Sequence, residues 1–146
     1  MYSRIMVPLE NSPYDETILS HVRRLARQCG GSALVLIHVA DGWAARNIKQ
    51  LQLKESEEMR EDRAYLERVC VALREEGFDA DAVLAAGDPA TEIAEAATRE
   101  HCDLIAMATH GHRGLNDMVR GSVASELRHR TMVPVLMVRA QPNASS

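Results

Sequence analysis

The sequence lacks the features of membrane-spanning, secreted and nucleic-acid-binding proteins. No apolar run approaches the roughly 20 residues that a helix needs to span a bilayer. The opening residues, Met1 to Pro8, contain no apolar core of a secretory signal. The net charge is −4, whereas nucleic-acid-binding domains carry clustered basic charge. We therefore expect a cytoplasmic protein that binds neither membranes nor nucleic acid.

The few cysteines do not form a disulfide or metal-binding pattern. Cys29, Cys70 and Cys102 are odd in number and have no C-x-x-C spacing, so we expect reduced and mostly buried thiols. His110 and His112 have no further cysteine or histidine at ligand spacing, and zinc sites usually need three or four protein ligands. We therefore expect no metal site built from protein ligands alone.

Common catalytic motifs are also missing. There is no G-x-S-x-G elbow of serine hydrolases, no G-x-x-x-x-G-K-S/T phosphate loop, and no G-x-G-x-x-G that opens a helix. The H-I-G-H and S-G-G-x-D-S signatures of nucleotidyl-transfer enzymes are absent as well. These absences argue against a triad hydrolase and against a nucleotidyl-transfer enzyme.

What the sequence does contain is an alternation of apolar and amphipathic segments in one predicted domain, residues 1–146. Apolar residues make up 46% of the chain, which favours a folded domain that buries about two-thirds of its unfolded surface. His38 lies in an apolar segment, and we interpret it as a core or rim histidine with satisfied hydrogen bonds. Five short apolar runs predict strands: Arg4 to Leu9, Ala33 to Val39, Ala80 to Ala86, Asp103 to Met107 and Pro134 to Val138.

Cap residues predict where helices begin, and glycines predict where they end. Ser12-Pro13 and Asp88-Pro89 each place an N-cap residue directly before a proline. Trp43 to Glu58 is charged and weakly periodic, so it is either a helix or an excursion, whereas helical periodicity is clear from about Met59. Ser122 to Thr131 has helical spacing too. The predicted helix ends are Gly30-Gly31 and Gly77.

The alternation of strands and helices predicts an α/β fold with a doubly wound, open, parallel five-stranded sheet and helices on both faces. Sites in such sheets lie beyond the carboxyl ends of strands, where the strand order reverses. If the first and fourth strands are adjacent, Leu9-Glu10 and Ala108 to Gly111 should therefore be neighbours.

The segment from Ala108 to Ser122 has the composition of an anion-binding loop between a strand and a helix. Gly111 and Gly121 let the backbone approach a ligand closely, and a helix start adds the positive end of its dipole. Cationic and histidine side chains outnumber the single acid, Asp117. The alternative is a plain connecting loop whose glycines only serve turn geometry.

The spacing of Gly111 and Gly121-Ser122, with nine residues between the glycines, resembles the G-x2-G-x9-G-S/T pattern of nucleotide-binding universal stress proteins. Val-Pro-Leu-Glu at 7–10 and Val-Pro-Val-Leu-Met-Val at 133–138 are similar to the family's opening and closing strands. Ala108 stands where the family has its first glycine, and Glu10 stands where relatives have aspartate. The resemblance covers Arg4 to Arg139 and implies the strand order 3-2-1-4-5.

The resemblance also implies a site for ATP, or for ADP or AMP, with Mg or Mn accompanying the nucleotide. Pro8 and Leu9 match nucleoside-lining positions, Glu10 matches the ribose-facing acid, and the Val39 backbone matches the group that reads the adenine edge. Arg113 is assigned to the phosphates on its charge alone. The remaining matches to the phosphate loop are Ala108, His110, Gly111, Gly121, Ser122 and Val123.

The function that the resemblance implies is that of an ATP-binding regulator or sensor in stress response. The loop contains no side chain with the setting of a poised general base, so we expect at most slow ATP hydrolysis or self-phosphorylation. The alternative is a nucleotide-independent interaction module of the same fold, with Ala108 and Glu10 marking a lost site. The expected partners are an unidentified regulatory protein and a second copy, paired through the apolar last strand, Thr131 to Arg139.

Overall fold

The computed structural model describes residues 1–41, 48–110 and 123–140, with the backbone alone at 41, 48–56 and 110. Strands and helices alternate through these residues. They are β1 (Arg4–Pro8), α1 (Asp15–Gln28), β2 (Ala33–Asp41), α2 (Ile48–Glu75), β3 (Ala80–Gly87), α3 (Pro89–Arg99), β4 (Leu104–His110), α4 (helical over 123–130) and β5 (Val135–Ala140).

The five strands form one parallel sheet in the order β3-β2-β1-β4-β5. The central strand β1 pairs with β2 on one side and with β4 on the other. The strand order therefore reverses at β1, and the carboxyl ends of β1 and β4 are neighbours. This confirms the predicted doubly wound fold and the predicted strand order.

The core consists of two apolar layers, one on each face of the sheet. Ile5 and Val7 of β1 face the layer that contains α1 and α2, whereas Met6 faces the layer that contains α3 and α4. Strand β2 alternates in the same way. Because both faces of these strands are covered, their side chains are apolar without interruption, as is typical of the centre of a parallel sheet.

The predicted start of the first helix is wrong. Helix α1 begins at Asp15 rather than after Ser12, and its N-cap residue, Tyr14, makes no side-chain cap. The Asp15 carboxylate accepts hydrogen bonds from the backbone amides of residues 10–12, which folds the preceding loop over the helix start. Ser12 lies in that loop, where its hydroxyl donates to Glu10 at 2.7 Å. The cap predicted at Asp88-Pro89 is confirmed, because Asp88 accepts from the Thr91 amide at 3.1 Å.

Two other boundaries differ from the prediction. Strand β4 continues to His110, so residues 108–110, which we expected in the loop, pair with Val138, Arg139 and Ala140 of β5. Helix α2 begins at Ile48 and therefore includes most of the segment that the sequence left undecided. Trp43 lies outside the described residues. The predicted glycine stops are confirmed, since Gly30, Gly31 and Gly77 all have positive φ angles.

All three cysteines are free thiols, as predicted. Cys70 and Cys102 are buried, and burial raises the pKa of each thiol. Cys29 is half-buried near the end of α1. Within the part of the chain that the structure describes, no helix is long and apolar enough to cross a membrane.

We predict that Asp88→Ala destabilises the protein by about 1 kcal/mol, because the first turn of α3 loses its N-cap. Hydrogen bonds from the Thr91 hydroxyl and amide lower the pKa of Asp88. The capping contribution should therefore be present above the ordinary carboxyl range and should disappear as pH falls through the lowered pKa. Urea unfolding of both proteins at neutral and acidic pH measures this difference.

Glu95→Ala is the matched control, because Glu95 is an exposed acid on the same helix away from the cap. Equal unfolding free energies for Asp88→Ala and Glu95→Ala at neutral pH would contradict the capping role.

Candidate functional site

A pocket of about 160 Å³ lies at the carboxyl end of β1, beside the carboxyl-terminal half of β2. The sequence predicted a site at the ends of the first and fourth strands, and no residue of β4 is among the described residues that line this pocket. The volume of the pocket is below the roughly 300 Å³ at which ligand pockets begin, so it has room for about one ring system rather than for a whole large ligand. Five residues from the predicted site line it: Pro8, Leu9, Glu10, Val39 and Val123. Sequence reasoning did not assign the other lining residues to the site: Ile37, His38, Pro89 and Ile93.

Apolar side chains form the wall of the pocket on the α3 and α4 side of the sheet. Ile37 and Val39 of β2 pack in the same layer as Ile93 of α3 and Val123 of α4. Glu10 and His38 provide the polar part of the lining. This arrangement suits a flat apolar group that carries hydrogen-bonding substituents at its edge.

The loop from Leu9 to Ser12 forms one edge of the pocket and is organised by a buried carboxylate. Only 3% of Asp15 is exposed, and it accepts from the amides of Glu10 at 3.1 Å, Asn11 at 2.8 Å and Ser12 at 3.3 Å. Asn11 has a φ of 61°, which is uncommon for a residue other than glycine. Hydrogen bonds to Asp15 hold the loop in this conformation.

Helix α2 reaches the carboxylate beneath this loop, because the hydroxyl of Tyr65 donates to Asp15 at the start of α1 at 2.6 Å. Burial raises the pKa of Tyr65, and the hydrogen bond to the negatively charged Asp15 raises it further. Tyr65 therefore remains a protonated donor at any ordinary pH. Four donors in total satisfy the buried Asp15 carboxylate, and this offsets much of the cost of burying its charge.

His38 connects the second strand to both the loop and α2. Its Nδ1 lies 2.9 Å from the carbonyl oxygen of Leu9, and its Nε2 lies 3.0 Å from Oδ2 of Asp62. The other oxygen of Asp62 accepts from the side-chain amide of Asn11 at 3.2 Å. The interpretation of His38 as a rim histidine with satisfied hydrogen bonds is confirmed. Its partner Asp62 could not be found from the sequence, because the pairing is between distant parts of the chain.

The described structure brings part of the predicted phosphate loop to this end of the sheet. Ala108 is 8% exposed, and it packs in the layer with α1 rather than in the layer that lines the pocket. His110 ends β4, and only its backbone is described. Four predicted site residues lie outside the described residues: Gly111, Arg113, Gly121 and Ser122.

No cluster of three potential metal ligands occurs among residues 1–41, 48–110 and 123–140. His112, one half of the weak metal pair considered from the sequence, lies outside these ranges.

Comparison with known proteins gives a consistent family relationship. A sequence profile described as "Universal stress protein family" matches residues 1–139. Universal stress protein MJ0577 of Methanocaldococcus jannaschii is 27% identical over 159 residues, which cover 95% of this chain and 96% of the relative. Universal stress protein MJ0531 of the same organism is 29% identical over 148 residues, which cover 95% of this chain and 83% of the relative.

Solved structures share the fold. The structure of hypothetical protein MJ0577 superposes with a TM-score of 0.83 at 26% identity and covers 99% of both chains. Two more distant structures are nucleotide complexes. A universal stress protein in complex with cAMP has a TM-score of 0.67 at 17% identity, covering 94% of this chain and 97% of that one. A universal stress protein of Archaeoglobus fulgidus in complex with dAMP has a TM-score of 0.61 at 19% identity, covering 96% and 98%.

Proposed function

This chain belongs to the universal stress protein family, and we propose that it binds ATP, or ADP or AMP, and acts as a nucleotide-dependent regulator in stress response. The observation that carries this proposal is the convergence of separate sequence segments on one pocket. Four residues that resemble nucleotide-binding positions of the family come from distant parts of the chain and line the same cavity. They are Pro8, Leu9, Val39 and Val123. The cAMP and dAMP complexes of structural neighbours support an adenine nucleotide as the ligand class.

In the proposed complex the adenine ring packs against Ile37, Val39 and Ile93, and the pocket volume suits one ring system. Glu10 accepts a hydrogen bond from the ribose, and its carboxylate is oriented by the Ser12 hydroxyl at 2.7 Å. The phosphates bind the backbone amides at the positions that the resemblance matches to phosphate contacts, namely Gly111, Gly121, Ser122 and Val123, since the positive end of a helix dipole favours an anion. Arg113 and a bound Mg²⁺ or Mn²⁺ offset the remaining charge.

The replacement of the family's first glycine by Ala108 is compatible with this proposal. The Ala108 side chain packs in the α1 layer, whereas Ile37, Ile93 and Val123 belong to the opposite layer. Its methyl group therefore adds packing on one face of β4 without filling the pocket on the other.

The proposed role is regulation rather than rapid catalysis. A general base needs a free acceptor within reach of the proton that it removes. Both ring nitrogens of His38 already have partners, and the proposed complex uses the Glu10 carboxylate for the Ser12 hydroxyl and the ribose. We therefore assign at most slow hydrolysis or self-phosphorylation to the site, in a cytoplasmic protein that acts through another regulatory protein.

We predict that ATP with Mg²⁺ raises the melting temperature in a concentration-dependent manner, because only the folded state binds it. Gly121→Val should abolish this shift, since a branched side chain blocks the phosphates, and its melting temperature without nucleotide serves as the folding control. Ala108→Gly should bind at least as tightly as the wild type. Calorimetry and thermal unfolding with ATP, ADP and AMP measure these effects.

A complete lack of heat and of thermal shift with all three nucleotides would contradict the proposal. That result would favour the alternative, a nucleotide-independent interaction module with Glu10 and Ala108 at a lost site.

The second part of the proposal is a homodimer formed through the last strand, Thr131 to Arg139. In the described sheet β5 is an edge that pairs only with β4, and an exposed apolar edge favours pairing with another strand. Met137 is 45% exposed, whereas Leu136 and Val138 pack against the α1 layer. Two copies related by a twofold axis would bury Met137 against the opposing strand.

We predict that Met137→Lys shifts the protein from dimer to monomer, because the charge would be buried at the strand-to-strand contact. Light scattering at micromolar concentration measures the mass. Met132→Lys is the matched control, since Met132 is 99% exposed and precedes the strand. A monomeric wild type, or a Met137→Lys protein that keeps the dimer mass, would contradict this interface.

A further inference from the structure

We infer that Tyr65 and Asp15 are positioning residues that make the pocket select nucleotides with ribose hydroxyls over nucleotides that lack them. This inference rests on the proposed nucleotide site and adds to it the part of the ligand on which that site discriminates. It follows from a series of hydrogen bonds that runs from helix α2, through the start of α1, to the Glu10 carboxylate at the edge of the pocket.

The Glu10 side chain is held by its own loop. Glu10 lines the pocket, and its Oε1 accepts from the Ser12 hydroxyl at 2.7 Å. The Ser12 oxygen in turn accepts from the backbone amide of Tyr14 at 3.3 Å. The direction of the Glu10 carboxylate therefore depends on where the backbone places Ser12. Because a free glutamate side chain has several rotamers, this contact reduces the conformational freedom that the side chain has left to lose when a ligand binds.

Asp15 determines where the loop places both residues. Its Oδ1 accepts from the Glu10 amide at 3.1 Å, and its Oδ2 accepts from the amides of Asn11 at 2.8 Å and Ser12 at 3.3 Å. One carboxylate therefore fixes the backbone from which the Glu10 side chain extends and the backbone that carries its hydroxyl partner. Asn11 lies between them with a φ of 61°, which is uncommon for a residue other than glycine, so the loop depends on these contacts.

Tyr65 donates to Asp15 from outside the loop. Its hydroxyl lies 2.6 Å from Oδ2, the oxygen that also accepts from Asn11 and Ser12. The Tyr65 ring packs against the apolar layer that contains α1, and the guanidinium of Arg68 lies over it, 6.0 Å from the ring centre. Because α2 fixes the ring, the hydroxyl restrains the Asp15 carboxylate from a separate element of the fold.

A carboxylate at this edge of the pocket distinguishes sugars by their hydrogen-bond donors. An ionised carboxylate only accepts hydrogen bonds, and the ribose hydroxyls donate to Glu10 in the proposed complex. A nucleotide without these hydroxyls leaves that hydrogen bond unmade, which lowers its affinity. A carboxylate that is already held in one direction forms the bond at a smaller entropic cost than a mobile one. Selectivity should therefore depend on Tyr65 and Asp15, although the described lining of the pocket includes neither.

The test compares ATP with 2′,3′-dideoxy-ATP, each with Mg²⁺, by calorimetric titration at neutral pH. The two ligands differ only in the ribose hydroxyls, so the ratio of their dissociation constants reports the ribose contact. The wild type should prefer ATP by at least about tenfold, as expected for one hydrogen bond to a charged group. Tyr65→Phe keeps the ring and removes the hydroxyl. It should lower this preference by at least about threefold, as is usual for residues of one hydrogen-bond network.

Tyr2→Phe is the matched control. Tyr2 packs against the same apolar layer as Tyr65, but it precedes β1 and so lies at the opposite end of the sheet from the pocket. This variant loses a tyrosine hydroxyl from the same layer and should keep the wild-type preference for ATP. Thermal unfolding without nucleotide confirms that each variant is folded.

Two further variants test whether the effect passes through Glu10. Ser12→Ala removes the hydroxyl that holds the Glu10 carboxylate, in a loop outside the core, and it should lower the preference as Tyr65→Phe does. Glu10→Ala removes the acceptor itself and should abolish the preference. In that background Tyr65→Phe should no longer change the ratio of the two dissociation constants.

A preference for ATP that falls in Tyr65→Phe and Ser12→Ala, but not in Tyr2→Phe, supports the inference. If folded Tyr65→Phe weakens both ligands by the same factor, or if the wild type binds both equally, the inference is overturned while the proposed function stands. If the wild type binds neither ligand, both fail together. If Tyr65→Phe does not fold, Ser12→Ala decides: a lowered preference supports the inference, and a wild-type preference overturns it.

Discussion

The buried carboxylate of Asp15 is the constraint on which the pocket depends. A charge that is only 3% exposed would be costly alone, but three backbone amides and the Tyr65 hydroxyl satisfy it. Its position in the first turn of α1 adds the favourable field of the helix N-terminus. Because the same carboxylate folds the loop after β1 over the helix start, the position of Glu10 and the shape of the pocket edge both follow from it.

A second set of hydrogen bonds, made by His38 and Asp62, also holds this edge of the pocket. His38 and Asp62 connect the loop to β2 and α2. The edge of the pocket is therefore held by three elements rather than by its own turn. A ligand that contacts Glu10 would contact a segment whose conformation α2 controls, which is a physical basis for the regulatory role proposed above.

The sequence predicted the fold well because the fold depends on periodicity. Continuous apolar runs such as Ala33 to Val39 identify buried parallel strands, and Asp88-Pro89 marks a helix start that the structure confirms. The predicted ends of helices and strands were wrong where a contact with a distant part of the chain determines where the element begins or ends. Ser12 has the properties of an N-cap, but the Asp15 hydrogen bonds move the helix start, and pairing with β5 extends β4 to His110. Among the residues predicted for the site, Pro8 and Val39 do line the same pocket. The pairing of His38 with Asp62 could not be predicted, because no pattern in the neighbouring sequence indicates it.

The central claim is that an adenine nucleotide binds with its base in the pocket between β2, α3 and the start of α4. The most direct test is NMR of methyl-labelled protein with bound ATP, in which nuclear Overhauser effects from adenine H2 and H8 report the neighbouring methyl groups. We predict contacts to the methyl groups of Ile37, Val39 and Ile93, which line the pocket. Adenine contacts confined to methyl groups elsewhere, such as Val71 on the exposed side of α2, would contradict the claim.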